Sequence, residues 1–535
     1  LKEGPSIPRG AALRSHIVEG EQTACEYLTA HEVTLWPLEI TEAEYLASTG
    51  AVTGLGVPGR QGLKAGLRLR LHCTGGLTFD RLPLDRLSLF LRGEETAFEI
   101  YEQLLGNLLD LVVQPTQRPI AWYADLPAST VKRLGFENEQ ALVPYTARSF
   151  EGYRLLQEYF AFPERFLFVE LTGMQAVIRR CDADELDLIF LFNRANPALA
   201  DAVDASHFNL FCTPAVNLFP KRADRIHLSP RTAEYHIVPD RTRPMDFEVF
   251  GISKVLGYGD RAEPELEFLP FYEVKERYRR QHRKAYYTLF REQRRLSARE
   301  REQQRRGDRS IFAGKEYRGS ESYISLVDAE EAPFSSDLKQ LGLSILCTNR
   351  HLPLKMPIGM HPTDFYLQTG APYESIHCIA GPTPPRASNA FKQTAWHLIS
   401  HLSLNYLSLI DNDMEQGAAA LRQILSLYGD YSELAVRKQI DGLLSIHSEP
   451  VARRIDAPKQ INAPIPITFA RGLEVTVNFD ESAFKGSGVF LLGAVLEQFF
   501  ARYVGINSFT ETVIRTTDRE EIMRWPARIG QRHIL

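Results

Sequence analysis

Few residues in this chain combine a reactive type with a useful spacing. His397 and His401 lie four apart in a stretch of helical pattern, so both project from one face. That is half of a metalloprotease zinc motif, but position two is Leu398, where a general-base glutamate would stand, and no third ligand is near. A packed or solvated histidine pair is expected. GLGVPG at 54–59 has the outline GxGxxG, yet no clear strand precedes it and Pro58 interrupts it, so a surface loop is expected. KGSG at 485–488 lacks phosphate-loop spacing, and no GxSxG elbow occurs. The six cysteines stand singly with no CxxC pair, which indicates neither a zinc cluster nor a disulfide framework. They read as small buried hydrophobes in a reducing compartment. No catalytic residue, cofactor site or metal site is expected, and the chain does not read as an enzyme.

The strongest compositional signal is a charge asymmetry. Residues 273–309 hold fourteen Lys or Arg against six Asp or Glu, a net of +8 in a chain of net −5, so the rest carries −13. Tyr278, Tyr286, Tyr287 and Phe290 are interleaved with those cations. Three readings stay open. The segment could hold nucleic acid through phosphate contacts and stacking. It could meet an acidic surface on a protein partner, with Arg279, Arg283, Tyr286 and Tyr287 as contacts. It could also be a solvated arm whose first part, 278–290, packs as a helix.

The elements that would position these groups follow from periodicity. At 535 residues, two to four domains are expected. The 44% apolar and 24% charged fractions are those of an ordinary soluble globular protein. No stretch reaches the ~18 to 20 apolar residues of a membrane span, so direct insertion is not expected. Alternation predicts strands at 67–73 and 87–91, with a Thr-Gly-Gly turn at 74–76. Helical spacing follows over 96–113, then a linker at 114–119. Ser149 is a candidate N-cap for a helix ended by Phe162-Pro163, and strands are expected at 166–171 and 186–192. Further strands fall at 322–327 and 341–347, with helices at 392–410, 418–427 and 433–444. Residues 471–516 are the clearest packing unit: an alternating strand, a polar turn at 480–488, a helix apolar almost all round over 489–504 with Gly505 as C-cap, and a second strand. Apolar stripes through Trp396 and Tyr406, and through Phe499, are core or an obligate interface; sequence does not separate the two. The modules expected are 1–115 (β-rich), 116–250 (α+β) and 251–535 (α+β with the basic arm 273–309).

The strings RGAALRSHIVEGEQTACEY, VPYTARSFEGYRLLQEYFAFPERFLFVEL, FCTPAVNLFPKRADRI, CTNRHLP and WHLISHLSLNYLSL occur in that order, and RGLEVTVNF follows. None has a chemical meaning of its own. Together they make the chain resemble the TssF (ImpG, VasA) family, baseplate wedge subunits of the bacterial type VI secretion system. The resemblance implies an elongated, multidomain α+β fold of β-rich modules with interspersed helices, like wedge proteins of contractile phage tails. It implies two copies of such a chain around one TssG, joined by TssK, TssE, the spike VgrG and the sheath. It also implies a cytoplasmic place, docked at the inner membrane through partners. No cofactor and no nucleic acid are implied. Trp396, Tyr406, Phe499, Asn507 and Phe509 join the candidate partner contacts. TssF proteins carry a further helical N-terminal segment, which the opening LKEGPSIPRG at Leu1 does not contain. On this reading 114–119 and 381–385 are candidate hinges. The alternative is a nucleic-acid-binding protein acting through the basic arm.

Overall fold

A strand with water on neither face is mostly apolar, and Glu185–Phe192 (ELDLIFLF) is buried along all but its first residue, with its one buried carboxylate, Asp187, held by Arg70. In the computed structural model it is the middle of a five-stranded antiparallel sheet ordered Leu38–Leu46, Ala65–Cys73, Glu185–Phe192, Leu108–Pro115, Ala124–Pro127. The structure describes residues 4–17, 20–144, 151–260, 266–271, 285–295, 301–302, 317–328, 338–387, 414–429, 433–456, 467–505 and 508–530.

The chain divides into two compact units, each assembled from distant segments. The first comprises Leu1–Ile7, His31–Pro214 and Asn389–Leu535. Besides the five-stranded sheet it holds a four-stranded sheet ordered Val131–Arg133, Phe168–Thr172, Arg86–Leu91, Phe208–Leu210. Its third sheet is C-terminal. Leu443–Asp456 and Ile467–Phe479 form a long antiparallel hairpin, Phe509–Thr516 joins in parallel, and the short strands Met523–Arg524 and Arg528–Ile529 close the far side. The parallel pair demands a crossover, and the helix Val489–Tyr503 supplies it. All fifteen of its residues are buried. Gly493 lets it approach the sheet: a Cβ there would stand 2.8 Å from Ile514 Cγ1 and 3.1 Å from Trp525 Cη2. Tyr101 of the helix Glu95–Gly106 meets Phe490 with ring centroids 5.9 Å apart, and Tyr153 of the helix Glu151–Ala161 meets Phe499 at 5.7 Å.

The second unit comprises Pro8–Ala30 and Ala215–Ser388. An eight-stranded sheet runs Phe219–Arg222, Gln340–Thr348, Glu248–Tyr258, Leu266–Pro270, Ala285–Gln293, Ser320–Asp328, Glu234–His236, with Ile226–His227 also on Gln340–Thr348. One face covers a single cluster that includes Val255, Phe268, Tyr287, Ile324 and Ile345. A four-stranded sheet of Ala215–Val216, Ala24–Thr29, Ala12–Ile17 and Phe365–Leu367 completes the unit.

Several expectations change. The helix expected over 96–113 ends at Gly106, and Leu108–Pro115 is a strand, because LLDLVVQP pairs with Glu185–Phe192 and buries Val112 and Val113. The linker expected at 114–119 therefore begins inside a sheet, where buried Gln114 donates to Leu55 O at 3.1 Å. Residues 278–290 are not one helix, since Ala285–Gln293 is a strand between two others. The C-terminal helix is capped by Val504, which leaves in an extended conformation (φ −86°, ψ 143°), and not by Gly505. The helix expected over 433–444 is Leu434–Asp441, and Leu443 already opens the hairpin. The module boundaries 115/116 and 250/251 are not where the units divide. The first falls at the end of Leu108–Pro115, inside one unit, and the second cuts the strand Glu248–Tyr258.

Candidate partner-contact surfaces

A side chain can meet a partner only where the chain's own fold leaves it exposed, and the candidate contacts differ sharply in this. Phe499 and Phe509 are both 0% exposed. Phe499 packs between Tyr153, Phe500 and Tyr503, and Phe509 lies so close over Gly472 that a Cβ there would stand 2.5 Å from its ring. Both hold this chain together, and neither presents itself to a neighbour. The polar residues of the C-terminal helix are likewise engaged inside the unit. Glu497 accepts from Arg133 Nη2 and from Arg528 Nε, both at 2.6 Å. Arg502 Nη2 donates to Phe136 O at 3.0 Å. A buried carboxylate is tolerable only with such partners. The apolar stripe through Phe499 is thus core, which answers the question the sequence left open.

Of the basic segment, Ala285–Gln293 is the main described part. Tyr287 faces the core cluster, while Tyr286 lies half-buried on the opposite face, edge-on to Phe271 at 6.2 Å. Arg279, Arg283, Trp396, Tyr406 and Asn507 lie outside the described residues, as do His397, His401 and Ser149.

The string CTNRHLP has a packing explanation. Asn349 and Asn217 form a reciprocal pair: Asn217 Nδ2 donates to Asn349 Oδ1 at 2.8 Å, and Asn349 N donates to Asn217 Oδ1 at 2.6 Å. Glu26 N also donates to Asn349 Oδ1, at 2.9 Å, which ties the strand Ala24–Thr29 to the end of the eight-stranded sheet. Arg350 takes a left-handed conformation (φ 54°), uncommon for any residue with a side chain, and its guanidinium sits 2.7 Å from where a Cβ on Gly319 would be. Gly319 itself holds φ +72°, a left-handed conformation that glycine adopts without steric cost. GLGVPG is the expected surface loop, following the short helix Thr49–Gly54: Gly54, Gly56, Pro58 and Gly59 are exposed, and buried Val57 anchors it. Burial pushes the thiols of Cys25, Cys73 and Cys347 up to about 12, out of the range of a reactive thiolate. Among the described residues no group of three or more His, Cys, Asp or Glu is placed to hold a metal ion, and no helix is long and apolar enough to cross a membrane.

What remains exposed is more informative. In the second unit, His16 stacks on His361 at 4.0 Å beside Tyr366, next in sequence to exposed Ile17 and Met360. In the first, Phe469 is 72% exposed near the distal end of the long hairpin. Sequence reasoning missed both; an apolar residue in a strand gives no sign of which face water will reach.

The family model for "Type VI secretion system, TssF" matches residues 1–532. This chain belongs to the TssF family. A curated relative, type VI secretion system component TssF1 of Pseudomonas aeruginosa PAO1, is 51% identical over 533 residues, covering 99% of this chain and 83% of the relative. Among solved structures, a chain of the TssK-TssF-TssG baseplate subcomplex of a type VI secretion system is similar with a TM-score of 0.71 at 22% identity, covering 99% of this chain and 89% of that one. A chain of the type VI secretion baseplate complex is similar with a TM-score of 0.54 at 17% identity, covering 99% and 83%. A TssF chain is a component of the type VI secretion system, and the sheet-rich mixed fold described above is shared with these baseplate chains.

Proposed function

We propose that this chain is a structural baseplate subunit of a type VI secretion system, acting by fixing neighbouring subunits in place and not by catalysis. The observation that carries the reading is the TssF match along residues 1–532, together with half-identity to a TssF1 over almost the whole chain. TssK and TssG are its direct partners, a reading supported by the composition named for the similar baseplate subcomplex. The family resemblance adds TssE, the spike VgrG, sheath subunits, and two copies of this chain per TssG. In this reading the chain works in the cytoplasm, docked at the inner membrane through those partners, which its membership of a baseplate family supports. Tyr286 stays a proposed contact, with Arg279, Arg283, Trp396, Tyr406 and Asn507. Phe499, Phe509 and Tyr287 do not, because the chain's own core covers them.

Secretion through the apparatus is the test. A strain lacking the gene is expected to lose it entirely, and a plasmid copy to restore it. Secretion that continues unchanged in the deletion strain overturns the reading.

A further inference from the structure

In the eight-stranded sheet, residues facing the core alternate with residues facing out. Tyr287, Ile324 and Tyr235 belong to the core cluster. The outward neighbours line up across three strands: Phe290 is the Cα partner of Tyr323, and Tyr323 of His236. Phe290 is 52% exposed, and the imidazole of His236 stacks on the Tyr323 ring at 5.0 Å. One residue pair further along the same face, Glu292 stands opposite Glu321. Like charges directly opposed in a sheet destabilise it, so the arrangement is not explained by the fold.

Beside Phe290 and His236, an open depression of about 260 Å³ is lined by Glu234, Glu292, Glu321, Arg295 and Tyr323. The phenol of Tyr323 donates to Glu321 Oε2 at 3.3 Å. Arg295 reaches Glu292 at 3.7 Å, but its side chain is almost wholly in solvent. Among the described residues lining it, one exposed arginine leaves the three carboxylates in excess. An aromatic row edged by carboxylates is the chemistry that recognises a cation with an apolar stem: the ring faces attract the charge and the carboxylates take its hydrogen bonds.

We infer that this outer face docks an arginine- or lysine-rich segment of a partner protein, laid across Phe290 and Tyr323 with its charges on Glu234, Glu292 and Glu321. The inference goes beyond the baseplate reading, since it requires a cationic partner segment whichever protein carries it.

The test is fluorescence anisotropy of the full chain with a fluorescein-labelled octa-arginine peptide, with octa-glutamate as its opposite. The variants are Phe290→Ser, the double variant Glu292→Gln with Glu321→Gln, and a control that removes equal charge elsewhere, Asp518→Asn with Glu520→Gln. Octa-arginine is expected to bind the parent and the control alike, and to bind the first two variants about tenfold more weakly. Circular dichroism of Phe290→Ser is expected to match the parent, because the ring is half in water. Equal binding by all four proteins would mean diffuse attraction to a net-negative chain and would overturn the inference. So would no binding by the parent, binding of octa-glutamate, an unchanged Phe290→Ser, or concentration-dependent self-association of the chain abolished by Phe290→Ser.

Discussion

Gly493 is where the C-terminal helix touches the sheet beneath it, and its missing side chain sets that distance. Gly493→Ala gains helix propensity but drives a methyl toward Ile514 and Trp525, both fixed by burial. Overpacking of that kind is expected to cost about 1–3 kcal/mol net, read as a lowered urea midpoint. Glu170 offers a prediction of opposite sign. Burial, the dominant cause, raises its carboxyl above the ordinary range, and Arg86 and Lys132 oppose that only in part. A carboxyl raised in the folded state favours folding when protonated, so its penalty is absent below the unfolded value and fully present above the folded one. Glu170→Gln is therefore expected to raise the unfolding temperature at about pH 7.5 and to lose that advantage near about pH 4. An identical gain at both values would show that the ionised form is not what the fold resists.

The strand, buried helix and strand from 471 to 516 were legible because each period is long, alternate residues first and then a run apolar almost all round, broken only by Glu497, Gln498 and Arg502. What was not legible is what covers the helix. Its apolarity fits an interface as well as a core, and only the arrival of Tyr101 and Tyr153 from distant segments decides for core. Two other elements misread for local reasons. LLDLVV continues the apolar spacing of the helix before it, and the Tyr-Tyr-x-x-Phe of 286–290 fits a helix face as readily as a strand. Glu497 carries the cross-element hold that no spacing announces, bridging Arg133 of the four-stranded sheet to Arg528 of the C-terminal one. Glu497→Gln leaves two guanidinium groups facing a neutral amide. It is expected to destabilise the chain by about 3 kcal/mol, somewhat less if the partly exposed arginines turn to water. Thermal unfolding of the single variant against the double variant with Arg528→Gln measures how much of that loss is the pair.

At the scale of the molecule, the chain passes between its two units at 7/8, 30/31, 214/215 and 388/389. No composition shift marks those points, because strand pairings such as Ala24–Thr29 with Ala215–Val216 join segments that sequence keeps far apart. Co-expressed pieces 1–250 and 251–535 are accordingly expected to aggregate, since the break falls within a strand that pairs along Gln340–Thr348. Recovery of two well-folded pieces would restore the simpler modular division. The buried thiols of Cys25, Cys73 and Cys347 and the CTNRHLP string resolve into packing, and the proposed role as a baseplate subunit rests on the family match. The most direct measurement is therefore co-purification of this chain, tagged and co-expressed with the TssK and TssG of its own bacterium. The account predicts one stable complex containing all three at fixed ratio after size exclusion at physiological salt. A chain that elutes alone, with TssK and TssG passing through the column separately, would contradict it.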